Sequence, residues 1–249
     1  MLIAQLTLNA IALGAAYALV AIGFVLVLNA TTAVNFAHGE SVVAGGFAAV
    51  ALSGVISNIW PGAVPGIVLL PGVLALTAIL GLAIAALAYL PIRNRPPVTV
   101  FVTTIAFGII VTNGLNAGFG AGPRTVPALL GTGTIELLGI TASRQSLAII
   151  TTTTVLIGVL TFLLQRTQLG RQFRACAQDP EIARALGIRL TRITLLGFAL
   201  GTAFAGAAGL LLTHQFFVTP SDGASLILKA YIAVVIGGWG SLRGAALGA

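Results

Sequence analysis

Three short clusters interrupt an otherwise apolar chain, and each carries residue types that could do chemistry. The first is Asn35-Phe36-Ala37-His38-Gly39-Glu40, which puts an amide, an imidazole and a carboxylate within six residues between two apolar runs. Broken helix backbone with polar groups facing a cavity is how transporters build sites in lipid. The same residues also read as a polar interhelical turn capped by Asn35, with His38 and Glu40 satisfying each other. The second cluster is the stretch 165–192, where Arg166, Arg171, Arg174, Arg184, Arg189 and Arg192 stand against Asp179 and Glu181. Within it, Asp179-Pro180-Glu181 has the order of a helix start: an acid at the N-cap, proline at the first helical position and another acid in the first turn. Gly187 predicts the stop. The enclosed helix of about two turns, Pro180 to Leu186, sets Ile182 and Leu186 four apart on one face with Ala183 beside them. A helix this short is unstable alone in water, so it rests on its own bundle or on a partner. A plain connector and a docking helix, with Arg184 on it and Arg171 and Arg174 flanking the contact, both fit. The third cluster, Gly237-Gly238-Trp239-Gly240-Ser241-Leu242-Arg243-Gly244, predicts close helix packing or a re-entrant kink. Its glycines lack the Lys-Ser/Thr that a phosphate cradle needs.

Several chemistries are absent. The only lysine, Lys229, follows Leu228 rather than glycine, so no Walker A loop exists and ATP hydrolysis would have to come from another chain. No H-E-x-x-H is present, and His38, His214 and Cys176 lie far apart, which disfavours a structural zinc site. No cofactor or metal is expected. Glu40 is the one carboxylate near mid-span, too little for a proton-coupled carrier. An intramembrane hydrolase pairing Ser221 or Ser241 with His214 lacks the G-x-S-x-G elbow.

The elements that must position these clusters follow from composition. The chain has 249 residues, 58% hydrophobic and only 7% charged, where soluble domains carry about 25% charged residues. Mean hydropathy is +1.09. A soluble domain, a disordered chain and a disulfide scaffold are excluded, and the single cysteine permits no internal disulfide. The net charge of +7 has no aromatic-interleaved basic stripe, so it marks membrane topology rather than nucleic-acid binding. The fold class is therefore all-α, a polytopic membrane protein.

Apolar runs near 5–28, 41–56, 66–90, 98–119, 147–164, 193–213 and 226–249 give about seven spans, with broken or re-entrant pieces near 29–40 and 237–244. Pro71 kinks the third run or marks its start. Residues 1–9 carry no charge, so the first run reads as a retained helix rather than a signal peptide. Ser57 to Pro65 reads as an uncharged turn with an interfacial Trp60. The alternation within 120–143 points to a small hairpin. Eight of the twelve basic residues fall in loops 91–97 and 165–192, whereas loops 57–65, 120–146 and 214–225 hold only Arg124 and Arg144. The arginine-rich loops are thus placed in the cytoplasm. Strict alternation then puts the N-terminus outside and Asn29–His38 on the cytoplasmic side.

NFAHGE at 35–40, followed by Gly45, Gly46 and Phe47, resembles the signature of LivH-type permeases of branched-chain amino acid ABC transporters. TTIAFGIIVTN at 103–113 is similar to the family's mid-chain helix. Thr167, Gly170, Arg171, Arg174, Ala175, Ala177, Asp179, Ala183, Gly187 and Ile188 match its cytoplasmic loop in order. Lys229, Ala230, Ala233, Gly237, Gly238, Gly240, Ser241, Gly244 and Ala245 match its glycine segment. The resemblance implies one permease domain over 1–249 in a bacterial inner membrane, importing branched-chain amino acids or a related small polar solute. Loop 165–192 would be the coupling loop, with Asp179, Pro180, Glu181, Ile182, Ala183, Arg184, Leu186 and Gly187 seated in a groove of the ATPase. Two ATPase subunits, a second permease (LivM-type or identical) and an external substrate-binding protein would complete the transporter. Asn35, His38, Gly39 and Glu40, with Gly237, Gly238, Gly240 and Ser241, would line the pathway or shape it. Family members continue past the glycine segment by a further helix or two, so this domain is expected to lack the last helices. Urea and short-chain amide permeases share these motifs, and a secondary transporter or channel working without an ATPase is the remaining alternative.

Overall fold

A computed structural model describes residues 2–58, 65–131, 133–137 and 140–249. Its helices are α1 (Leu2–Thr31), α2 (His38–Ser57), α3 (Gly66–Ala83), α4 (Pro97–Phe119), α5 (Arg144–Arg166), α6 (Gln168–Gln178), α7 (Pro180–Ala185), α8 (Leu190–Phe216), α9 (Gly223–Gly237) and α10 (Leu242–Gly248). Six of them are long and apolar enough to span a membrane, and α9 with α10, bent by 114° at a short break, makes a seventh candidate. The expected hairpin is present as β1 (Thr134–Leu137) paired antiparallel with β2 (Ile140–Ser143). Helix α3 starts at Gly66, runs through Pro71, then loosens through a π turn (Ile84–Tyr89) and tightens through a short 3-10 turn (Leu90–Ile92). The turn around Trp60 lies outside the described residues.

Helix α8 is the hub, because small residues line it at four-residue spacing: Gly197, Gly201, Ala205 and Gly209. A side chain at Gly201 would sit 2.6 Å from the Gly23 carbonyl oxygen of α1. One at Gly209 would overlap the Val42 carbonyl of α2, and one at Gly81 of α3 would meet Thr202. Lipid supplies no hydrophobic force between helices, so this close backbone approach is what joins α1, α2 and α3 to α8. Thr202 adds a hydrogen bond from its hydroxyl to the Thr77 carbonyl at 2.9 Å. Peripheral helices instead turn large apolar residues outward, as Ile109 and Ile110 on α4 and Val155, Val159 and Phe162 on α5 do.

Interloop hydrogen bonds define two ends. Arg93 donates to the Thr191 hydroxyl at 2.9 Å, joining both arginine-rich loops at one end. At the other end the Arg124 and Val218 backbones pair at 2.9 and 2.8 Å, and Gly66 N–H donates to Ala128. Loops of like charge density therefore share an end, as the topology read from charge requires. The placing of Asn29–His38 needs correction. Only the end of α1 reaches the arginine-rich end; residues 32–37 turn back along α1, starting from Thr32 at φ 56°. The α2 N-terminus lands beside Val20, where His38 Nε2 meets the Val20 carbonyl at 2.9 Å. That is eleven residues, or about 16 Å, back from Thr31. The NFAHGE turn lies at mid-depth, not in a cytoplasmic loop.

Candidate functional site

At the arginine-rich end, α7 forms as its sequence requires. The Asp179 carboxylate accepts from Glu181 N–H at 2.8 Å and Ile182 N–H at 3.0 Å, satisfying two of the donors that a helix start leaves open. Gly187, at φ 84°, closes the other end. Its N–H bonds to Arg184 O and that of Ile188 to Ala183 O, the paired pattern of a glycine-terminated helix. The helix ends at Ala185 with Leu186 as its cap. Ala183 alone is buried, at 2%, and anchors α7 to the bundle. Ile182 and Leu186 are 60% and 74% exposed, on the face turned away.

Helix α6 was not expected from the sequence. Thr167 caps it by accepting from Gly170 N–H, and Gly170, Phe173 and Cys176, three apart, bury one face. That spacing was the available signal, hidden among arginines and glutamines. Arg174 folds back to donate to the Leu164 carbonyl at the C-terminal end of α5, where a cation complements the helix dipole. It braces α6 against α5, and both Arg174 and Arg171 are exposed. Burial also pushes the Cys176 thiol up, away from the reactive thiolate. Beside α7, Arg93, Arg184, Arg189 and Arg192 surround a polar cavity of about 510 Å³. No carboxylate lines it, although Glu181 is exposed on α7 beside Ile182.

The mid-depth turn differs from the expectation of a self-satisfied pair. Asn35 does cap locally, its Oδ1 accepting from Ala37 N–H at 3.1 Å. His38 is fully buried and uses Nε2 on Val20, so it does not bond Glu40. Asn35 Nδ2, His38 Nδ1 and Glu40 Oε2 are all enclosed without a partner. The Glu40 carboxylate lies in a slot walled by two glycines, with Oε1 2.7 Å from where a Gly223 side chain would begin and Oε2 3.3 Å from that of Gly108. Gly39 meets the Gly223 backbone so closely that no side chain fits. The sequence brought Asn35, His38, Gly39 and Glu40 together, and the fold holds them where α2, α4 and α9 converge.

The glycine segment is a hinge. Gly238 and Gly240 take φ 106° and 79°, and the Ser241 hydroxyl caps α10 by accepting from Gly244 N–H at 3.0 Å. Gly237 packs on the Gly244 backbone, so α10 folds back along α9. Asn29 holds the hinge to α1 through Gly240 O at 3.0 Å. These residues do not meet the NFAHGE turn; they serve the α9–α10 reversal. Sequence reasoning missed Lys229 and Asp222 as a pair, although a lone lysine inside an apolar run is itself a signal.

Comparison with known proteins agrees with this architecture. The family described as "Branched-chain amino acid transport system / permease component" matches residues 6–249. The permease protein BraD of the high-affinity branched-chain amino acid transport system in Pseudomonas aeruginosa is 31% identical, covering 98% of this chain and 82% of its own length. LivH of Escherichia coli, the permease of the corresponding system, is 32% identical over the same shares. A probable LivH from Methanocaldococcus jannaschii is 27% identical, covering 92% and 72%. No solved structure matches.

Proposed function

Because this chain belongs to the family of permease components of branched-chain amino acid transport systems, a multi-pass inner-membrane protein among them, we propose that it imports branched-chain amino acids or a related small polar solute. Energy comes from two separate ATPase subunits, since the chain has no Walker A lysine of its own. A second permease, homologous or identical, completes the membrane pathway, and an external binding protein delivers substrate.

One observation supports the coupling reading above the others. Helix α7 is capped at both ends yet exposes Ile182 and Leu186 instead of burying them. Burial of such side chains is worth about 1.5–3 kcal/mol each. A partner groove that takes both gains that energy. Anchored through Ala183 and fastened by short loops to α6 and α8, the helix passes movement of the ATPase into α8, which touches α1, α2 and α3. The proposed docking segment is therefore Asp179, Pro180, Glu181, Ile182, Ala183, Arg184, Leu186 and Gly187, in which Ala183 holds the helix to its own bundle, with Arg171 and Arg174 exposed nearby.

The test is uptake into vesicles holding the permeases and ATPases, with binding protein outside. ATP-dependent leucine uptake is expected. Ile182→Asp combined with Leu186→Asp lowers it at least tenfold while the chain still inserts. Uptake that continues without the ATPases would overturn the reading.

A further inference from the structure

Between α1, α2, α8 and α9, at the arginine-poor end, lies a cavity of about 300 Å³ that the coupling reading does not use. This is the lower limit of small-molecule sites, roughly 300–1,000 Å³, and so favours a small ligand. Its wall is mostly apolar, including Val42, Val43, Leu212 and Leu226. Two charges interrupt it, Asp222 and Lys229. Asp222 immediately precedes α9 in helical conformation and Lys229 lies seven residues on, which puts the two on one side, separated by about 10 Å along the axis. Helical side chains lean toward the N-terminus, which brings the lysine stem back toward Asp222.

Neither charge is spent on the other. The Lys229 ammonium donates to the Tyr17 hydroxyl at 2.9 Å and sits 5.1 Å from the centre of that ring. Two of its three donors remain for a ligand. Asp222 accepts Thr219 N–H at 2.7 Å through Oδ2, leaving Oδ1 open among the described residues. Lys229, an ionisable group inside an apolar span, faces a cavity because lipid does not solvate it. The rim adds a strained residue: Phe217 holds φ 57°, a conformation costing a non-glycine residue about 1–3 kcal/mol and concentrated at ligand clamps.

We propose that this cavity binds an α-amino acid zwitterion on its way inward. The carboxylate of the ligand lies on Lys229, its ammonium on Asp222, and its branched side chain against Val42, Val43, Leu212 and Leu226. The arrangement rests on the transport function proposed above and names the site that takes the substrate at the outer end.

The experiment uses the complete transporter in vesicles and reads leucine uptake per ATP hydrolysed, with each variant first checked as monodisperse by size exclusion. Lys229→Gln lowers that ratio at least tenfold, and Lys229→Arg, which keeps the charge, recovers most of it. Asp222→Asn lowers it less. Ser225→Trp fills the cavity without touching either charge and lowers it as well, which covers the case in which the lysine variant fails to fold. Wild-type transporter that moves no leucine would sink the function proposed above. Wild-type uptake with Lys229→Gln or Ser225→Trp folded and unaffected would overturn this site and leave that function standing.

Discussion

Helix α7 and the NFAHGE turn solve opposite problems. Helix α7 lies at the arginine-rich end with its backbone ends satisfied by its own residues, and leaves two large apolar side chains in the open. The turn lies among apolar helices at mid-depth, hides its side chains and leaves three polar atoms without partners. The first region is complete as structure and unfinished as a surface. The second is sealed by packing and unfinished inside. The contact proposed with another chain belongs at the first, and intolerance of change is expected at the second.

The largest effect that would break this contrast is steric. Gly39→Leu pushes a side chain into the Gly223 backbone, and overpacking of this kind costs about 1–3 kcal/mol or more. Purification yield and thermal midpoint both fall sharply. Ala185→Leu on exposed α7 changes stability by no more than about 0.5 kcal/mol. Equal losses from both would erase the distinction between packed turn and free helix.

Second in size is the function of the exposed face. Leu186→Asp alone is expected to lower ATP-driven uptake about tenfold with the thermal midpoint unchanged, read by parallel uptake and melting curves. His38→Ala reverses that order: it empties a buried site and removes the bond to Val20, costing about 1–3 kcal/mol of stability. Melting in detergent measures it. A His38→Ala protein as stable as the parent would show the imidazole to be dispensable to the turn. Smallest is the cap. Asp179→Ala costs about 1 kcal/mol. It shows as roughly fivefold faster hydrogen exchange at the Glu181 and Ile182 amides, with the membrane helices unaffected.

The two regions also differ in how far the sequence revealed them. Helix α7 was legible because its rules are local: Asp179, Pro180 and Gly187 decide its ends without reference to the rest of the chain. The hairpin and the glycine hinge were legible for the same reason. The depth of NFAHGE was not, because it depends on the return of residues 32–37 along α1 and on a contact between His38 and Val20, eighteen positions apart. Charge counting placed that segment at the cytoplasmic end, since counting sees span order and not how deep a turn re-enters. Lys229 and Asp222 were passed over because each looked like an isolated charge; only the α9 face and the neighbouring α1 and α8 bring them to one cavity.

The docking of α7 on an ATPase is the central claim, and cross-linking tests it most directly. Leu186→Cys supplies a reactive thiol, because the native Cys176 is buried. In membranes carrying the whole transporter, a short thiol–amine cross-linker should join this chain of 25.2 kDa to the ATPase subunit. Ser221→Cys, at the opposite end, should give no such product. No adduct from Leu186→Cys in vesicles that still import leucine at the parent rate would contradict the account.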